Sequence, residues 1–154
     1  MLDGVSFGRA VDSDVAAITG LVRTAYQLYV PRMGREPAPM GADFAGLVAA
    51  GRVTVARAAG VVMGVMVTEP RLDHLLIGNL AVSDAVRGRG VGGALLRVAE
   101  SEARELGLAE LRLYTNVTMT ENLEYYPRRG FREVDRRTED GFDRVFFVRE
   151  LPPA

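Results

Sequence analysis

Cysteine, lysine and tryptophan are absent from this 154-residue sequence, and histidine occurs once. Without cysteine the chain can form no disulfide, no thiolate metal site and no cysteine nucleophile. No apolar run approaches the about 20 residues that a helix needs to cross a bilayer. The first residues also lack the basic and apolar segments of a signal peptide. We therefore expect a protein of the cytoplasm that uses no metal ion.

Charges of the two signs nearly balance, with 19 arginines against 20 acidic residues and a net charge of -1. This balance gives no reason to expect nucleic acid or a membrane surface as a partner. The exclusive use of arginine suits bidentate binding of anions, although GC-rich coding explains it more simply. Apolar residues make up 48% of the chain, which is ordinary for a soluble protein. The length predicts a single domain over residues 1–154.

Hydrophobic periodicity and turn residues predict a mixture of helices and strands. In chain order, we predict a strand at 7–10, a helix from about 13 to 29, a loop at 31–40, a helix at 43–50, strands at 52–58, 61–68 and 75–82, a helix at 91–106, a strand at 111–115, a helix at 121–129, and strands at 131–137 and 144–150.

The segment from residue 75 to residue 115 reads as a strand, a helix and a second strand. Such a βαβ unit requires its two strands to be parallel. The nearly continuous apolar content of residues 75–82 predicts burial of this strand on both faces. The fold class is therefore mixed α+β.

Between that strand and helix lies the sequence Arg-Gly-Arg-Gly-Val-Gly-Gly at 87–93. A phosphate group needs several converging backbone N–H donors, and glycines keep side chains out of their way. The following helix N-terminus adds a favourable dipole, and the arginines can add charge-assisted hydrogen bonds. Taken alone, the four glycines are equally compatible with a tight turn and close helix packing.

Two known phosphate-binding loops do not fit this sequence. A Walker loop requires a lysine, and the chain has none. A dinucleotide fingerprint is matched formally by residues 88–93, but Glu110 precedes the next strand instead of ending it. Too little chain remains for a complete dinucleotide-binding domain.

Two sequence blocks resemble the GNAT (GCN5-related N-acetyltransferase) family. Arg87-x-x-Gly90-x-Gly92, with Asn-Leu-Ala-Val before it at 79–82, resembles the family's acetyl-CoA pyrophosphate motif. The second block comprises Tyr-Thr-Asn at 114–116, Met-Thr-Glu-Asn at 119–122, and Tyr126 ahead of Arg-Gly-Phe at 129–131. The resemblance covers about residues 75–131. It implies the GNAT fold, a mixed and mostly antiparallel sheet with one parallel βαβ unit, splayed central strands and flanking helices.

The resemblance also implies acetyl-CoA as cosubstrate. Main-chain groups of the strand would pair with pantetheine and polarise the thioester carbonyl, and the glycine-rich loop would hold the pyrophosphate. The residues so assigned are Leu80, Ala81 and Val82 in the strand, and Arg87, Gly88, Arg89, Gly90, Val91, Gly92 and Gly93 in the loop. Asn122 resembles a residue that contacts CoA, but it can also be an ordinary residue of a helix surface.

Tyr126 resembles the general acid of the family. A phenol with a pKa near ~10 stays protonated at neutral pH and can protonate a leaving thiolate of similar basicity. The alternative is a core aromatic beside Tyr125. Pro127 should end or kink the helix directly after Tyr126.

The general base is missing from its expected place, because Gly78 stands where related sequences often carry a glutamate. Three interpretations remain: a water chain accepts the proton, another residue substitutes, or the protein binds acyl-CoA without catalysis. The substitutes to consider are Glu121, Asp73 and His74. His74 lies four strand residues from Gly78, about 13 Å away, which favours a position at the rim.

The resulting hypothesis is an N-acetyltransferase that passes acetyl from acetyl-CoA to a primary amine of a small molecule or peptide in a ternary complex. The alternative is a non-catalytic acyl-CoA-binding or regulatory module. Candidate acceptor-binding residues are Tyr26, Tyr29, Arg32, Arg35 and Glu36. Their arginines suit a carboxylate or phosphate on the acceptor, unless this segment is only a solvated loop. A homodimer is compatible with the sequence, which leaves the oligomeric state open.

Overall fold

The computed structural model describes residues 4–152, which form seven strands, five α-helices and three short 3-10 turns. The strands are β1 (Val5–Arg9), β2 (Val53–Ala58), β3 (Val61–Pro70), β4 (Leu75–Val82), β5 (Glu110–Asn116), β6 (Arg132–Glu139) and β7 (Phe142–Glu150). The α-helices are α1 (Val15–Tyr26), α2 (Tyr29–Met33), α3 (Phe44–Ala49), α4 (Val91–Glu105) and α5 (Thr120–Arg128). The 3-10 turns lie at Asp12–Asp14, Ala38–Gly41 and Asp84–Val86.

The strands are hydrogen-bonded in the order β1-β2-β3-β4-β5-β7-β6. The pairs β1–β2, β2–β3, β5–β7 and β6–β7 are antiparallel, and the pair β4–β5 is parallel. The mixed fold class and the parallel βαβ unit are thereby confirmed. The hairpin turn between β2 and β3 is confirmed as well, with positive φ at Ala59 and Gly60, as a two-residue hairpin requires.

Parallel pairing between β4 and β5 is short. It runs from Leu75 opposite Leu111 to Ile77 opposite Leu113, although both strands continue beyond these residues. On its other edge, β5 pairs with β7 along its whole length, from Glu110 opposite Glu150 to Asn116 opposite Arg144. Residues 78–82 of β4 therefore lie outside the parallel register, as the expected splaying of the central strands requires.

Three details differ from the sequence predictions. The first long helix ends at Tyr26, and Tyr29 begins α2, a separate short helix that runs into the predicted loop. Pro31 is tolerated there because the first N–H groups of a helix need no intrahelical acceptor. Only one face of β4 is buried, since its burial alternates residue by residue and Gly78 is exposed. Helix α5 continues one residue past Pro127, to Arg128.

The chain divides into two compact units, the first formed by residues up to Thr68 with Asn79–Arg97, the second by Glu69–Gly78 with the residues from Val98 onward. In the first unit, α1 and α3 pack on the sheet through Ile18, Val22, Phe44, Val48 and Ala81. In the second unit, the rings of Tyr126, Phe131 and Phe147 lie in contact. One domain over residues 1–154 remains a prediction, and its first three and last two residues lie outside the described range.

A partly buried ion pair joins the 3-10 turn that precedes α1 to β2. The Asp14 carboxylate accepts hydrogen bonds from both terminal nitrogens of Arg57, at 2.8 and 2.5 Å, and one from the backbone N–H of Val11 at 2.8 Å. These bonds, chiefly those from Arg57, hold the pKa of Asp14 below its ordinary value. Within residues 4–152, no helix is both long and apolar enough to cross a membrane.

Candidate active site

A hydrogen bond to β3 defines which way the backbone N–H and C=O groups point at the end of β4. The N–H of Ser83 donates to the carbonyl of Met63 on β3, at 2.8 Å. Because successive residues of a strand point their N–H and C=O groups to opposite sides, the main-chain groups of Leu80 and Val82 point away from β3. They follow Ile77, the last residue of β4 in parallel register with β5.

The glycine-rich loop folds as a series of tight turns. Ser83 accepts a hydrogen bond from Ala85 N–H through its hydroxyl, at 3.2 Å. The N–H groups of Arg87 and Arg89 donate to the carbonyls of Asp84 and Val86, at 3.1 and 3.2 Å. The two arginine amides are therefore already used inside the loop.

Gly88 and Gly90 adopt φ values of 80° and 83°, in the left-handed region that favours glycine. No atom lies within 4 Å of where a Cβ would stand at either residue. Backbone conformation, not crowding, therefore demands glycine here, and the space beside these residues stays open for a ligand. The neighbouring Arg87 guanidinium forms an exposed ion pair with Asp84 at 2.5 Å.

Helix α4 begins at Val91, directly after this loop. Its first N–H groups, those of Val91, Gly92 and Gly93, have no intrahelical acceptor. Together with the helix dipole they make a favourable position for an anion. The chain therefore places an open, glycine-lined turn and a helix N-terminus in immediate succession.

Gly64 is a residue of this region that the sequence analysis missed. A Cβ at this position of β3 would lie 3.1 Å from Val91 Cγ1, 3.2 Å from Leu95 Cδ1 and 3.3 Å from Ala56 Cβ. Gly64 thus allows the first turns of α4 to pack closely on the sheet. The sequence signal was a lone glycine inside an apolar strand, which often marks a close approach.

Asn122 holds the start of α5 against the end of β5. Its Nδ2 donates to the hydroxyl of Thr115 at 3.0 Å, and Thr115 in turn contacts Met119 Sδ at 3.3 Å. Its Oδ1 accepts no hydrogen bond within the described part of the chain. Asn122 is therefore not simply a surface residue, and one polar atom of its amide stays available.

Tyr126 is buried on α5. Its ring lies edge-on to Tyr125 and Phe131, with centroid distances of 5.2 and 5.7 Å, and 6.0 Å from Phe147. This aromatic packing fixes the direction of the phenol. A fixed phenol is compatible with a general acid and with a core aromatic alike.

The residues considered as substitute bases lie in different places. His74 and Asp73 precede β4 and are bonded to each other through Nδ1 and Oδ1, at 2.7 Å. This bond is the chief cause that holds the pKa of Asp73 below its ordinary value. The glycine-rich loop follows the opposite end of the same strand, so this pair lies at the wrong end of β4. Glu121 is exposed in the first turn of α5.

Tyr26, the last residue of α1, reaches the end of β4. Its hydroxyl lies 3.2 Å from the carbonyl oxygen of Leu80 and 3.3 Å from Oδ1 of Asn79. Burial raises the pKa of Tyr26 above its ordinary value, so the hydroxyl keeps its proton. Of the other predicted acceptor-binding residues, Tyr29 stacks 5.2 Å from the guanidinium of Arg32.

Glu36 pairs with Arg23 at 3.5 Å, and both side chains are exposed. Arg35 is exposed as well. The predicted acceptor-binding residues thus belong to the first unit, where Tyr26 and Tyr29 lie with their ring centroids 6.0 Å apart.

Solved structures with the same fold include several acetyltransferases. The PaiA N-acetyltransferase from Thermoplasma acidophilum in complex with coenzyme A is 14% identical, with a TM-score of 0.80 over 95% of this chain and 98% of that one. The IAA acetyltransferase from Bacillus cereus is 26% identical, with a TM-score of 0.70 over 96% and 99%. The ribosomal-protein-S18-alanine N-acetyltransferase from Escherichia coli is 21% identical, with a TM-score of 0.76 over 97% and 96%.

Residues 22–131 match the model of the acetyltransferase (GNAT) family, and the chain belongs to that family. It is thereby a member of a family of acyltransferases, as the two sequence blocks predicted. No curated protein matches the chain significantly.

Proposed function

We propose that this protein is an N-acetyltransferase of one domain that transfers the acetyl group of acetyl-CoA to a primary amine of a small molecule or peptide in the cytoplasm. The observation that carries the proposal is the succession of β4, the open loop at Gly88 and Gly90, and the N-terminus of α4. Membership in the GNAT family supports the same assignment.

The loop and helix would bind the pyrophosphate of acetyl-CoA. Because the amides of Arg87 and Arg89 are bonded within the loop, backbone binding would fall to Gly88, Gly90 and the first residues of α4, Val91, Gly92 and Gly93. The guanidinium groups of Arg87 and Arg89 are both exposed and would add charge-assisted hydrogen bonds.

The main chain of β4 beyond its parallel register with β5 would bind pantetheine in the manner of an added strand. Main-chain groups of Leu80 and Val82 point away from β3, so they are the groups that such a strand would meet. With Ala81 between them, they would hold the thioester, and N–H donors in this stretch would stabilise the oxyanion of the tetrahedral intermediate. The free oxygen of Asn122 would accept a hydrogen bond from the cosubstrate.

In the chemical step, the free amine attacks the thioester carbonyl, and Tyr126 donates a proton to the departing thiolate. The amine must lose a proton as well. Gly78 has no side chain to take it, and the His74–Asp73 pair lies at the other end of β4. We propose that water, rather than Glu121, accepts the proton, which suffices for amines that are partly deprotonated at working pH.

The missing base favours the alternative of a non-catalytic acyl-CoA-binding module. Since both the enzyme and the module would bind acyl-CoA, a measurement of turnover distinguishes them. Release of free thiol from acetyl-CoA is followed with amino acids, polyamines, aminoglycosides and peptide N-termini as acceptors. We expect acceptor-dependent thiol release with formation of one amide per thiol in at least one class. Tight binding of acetyl-CoA without acceptor-dependent thiol release in any class of acceptor would instead identify the protein as a non-catalytic acyl-CoA-binding module.

A further inference from the structure

Tyr26, Leu80 and Asn79 form a polar cluster at the C-terminal end of β4. The Tyr26 hydroxyl lies within 3.3 Å of two acceptors, the carbonyl of Leu80 and Oδ1 of Asn79. A phenol carries a single proton, so it donates to one of them at a time. The raised pKa of Tyr26, caused chiefly by burial, keeps that proton in place at neutral pH.

The carbonyl that Tyr26 holds lies in the stretch to which cosubstrate binding is assigned. Alternation along β4, fixed by the Ser83–Met63 hydrogen bond, directs the Leu80 carbonyl away from β3. Asn79 and Ala81 belong to the buried face of β4, and Ala81 packs in the core with Ile18 and Val22 of α1.

Tyr26 therefore approaches the carbonyl from the face of the sheet that α1 covers. An added strand approaches in the plane of the sheet. Because a carbonyl oxygen has two lone pairs, Tyr26 and an added strand can bind the same oxygen together.

The side chain of Asn79 makes an incomplete set of hydrogen bonds, so its contribution to stability does not account for its presence. Its side chain is buried, and Nδ2 has no hydrogen-bond partner among the described residues. A buried donor without a partner opposes folding, and each such group calls for an explanation. Its Oδ1 supplies a second polar contact to the Tyr26 hydroxyl, which keeps that hydroxyl beside the strand.

We propose that Tyr26 is a positioning residue that holds the Leu80 carbonyl in the orientation that pairs with the pantetheine arm of acyl-CoA. The inference rests on the proposed function in that acyl-CoA is the ligand of β4. Tyr26 touches no reacting atom in this role. It acts through the main chain of Leu80 and links the end of α1 to the cosubstrate strand.

The test separates the two halves of the ligand. Titration calorimetry on the full chain compares CoA with adenosine 3′-phosphate 5′-diphosphate, which keeps the pyrophosphate and lacks pantetheine. Tyr26→Phe should weaken CoA binding by about fivefold, the effect of one hydrogen bond, and leave binding of the nucleotide unchanged. Thr19→Val is the matched control, because it removes another hydroxyl of α1, one that donates to the carbonyl of Val15, and should change neither affinity.

Equal weakening of both ligands in Tyr26→Phe would show a general disturbance of the fold and overturn the inference. So would a CoA affinity equal to that of the wild-type protein. Wild-type protein that binds neither ligand would overturn the proposed function itself, and with it this role of Tyr26.

Discussion

Gly64 on β3 and Val91 at the start of α4 pack without room for a side chain between them, since a Cβ at position 64 would lie 3.1 Å from Val91 Cγ1. The contact sets how closely the N-terminus of α4 approaches the sheet. The same N-terminus is the proposed pyrophosphate site. The packing of Gly64 against Val91 therefore also fixes the position of the proposed binding site.

Gly64→Val should force α4 away from β3. Overpacking of this kind costs about 1–3 kcal/mol, so we expect a lower free energy of unfolding in urea and weaker acetyl-CoA binding by calorimetry. Gly8→Val is the matched control, because Gly8 also lies in a strand but has no atom within 4 Å of the new Cβ. If Gly64→Val bound acetyl-CoA with the affinity of the wild-type protein, the close packing of α4 on β3 would not be needed for binding.

Part of this structure follows from the sequence pattern. Strand β4 was predicted to the residue, because its apolar run is bounded by Asp73-His74 and Ser83-Asp84. The two-residue hairpin followed from Ala59 and Gly60. These features are local, and local turn chemistry decides them.

Other features depend on contacts that a pattern does not contain. The break after Tyr26 was missed because apolar residues continue through Tyr29 in helical spacing. The bond from Tyr26 to Leu80 joins residues 54 positions apart. The alternating burial of β4 also depends on tertiary packing, since an all-apolar strand reads the same whether one face or two are covered.

Tyr126→Phe should lower kcat by about 10²-fold or more, as for loss of a general acid. The affinity for acetyl-CoA should stay near that of wild type, because the ring and its contacts with Phe131 and Phe147 are kept. Steady-state kinetics with the best acceptor and calorimetry with acetyl-CoA measure the two quantities. Tyr125→Phe removes the neighbouring phenol and should leave kcat unchanged. An unchanged kcat in Tyr126→Phe would make Tyr126 a core aromatic.

Asp14→Asn should destabilise the protein at pH 7, because it removes the charge that Arg57 binds. Hydrogen bonds to charged groups contribute about 1.5–3 kcal/mol. The pKa of Asp14 is lowered in the folded state, so this stability is present above the unfolded-state pKa and is lost as pH falls through the folded-state pKa.

Urea unfolding of wild type and Asp14→Asn at several pH values measures this dependence. The difference in free energy of unfolding should be largest near neutrality and should shrink in acid. If the difference in free energy of unfolding stayed constant down to the lowest pH at which the protein folds, the ionised carboxylate of Asp14 would not be its cause.

Because Gly78 supplies no general base, kcat/KM should depend on pH in a distinctive way. If water accepts the proton, kcat/KM should rise with pH until the acceptor amine is largely deprotonated, so the acid limb should follow the pKa of each amine. Two acceptors whose amine pKa values differ by more than one unit should give displaced acid limbs. Coincident limbs would instead report a residue of the enzyme, and replacement of Glu121, Asp73 and His74 one at a time would locate it.

The central claim is that the loop after β4 and the N-terminus of α4 bind acetyl-CoA. Calorimetric titration of the wild-type protein should give one acetyl-CoA per chain, and the ligand should raise the melting temperature, because it binds only the folded state. Gly90→Val should abolish the binding, since a branched side chain enters the space beside the loop at a φ of 83°. Gly107→Val, with a φ of 72° and equally open surroundings at the end of α4, introduces the same backbone strain and should keep the binding. Absence of binding to the wild-type protein at millimolar acetyl-CoA, or normal binding to Gly90→Val, would contradict the account.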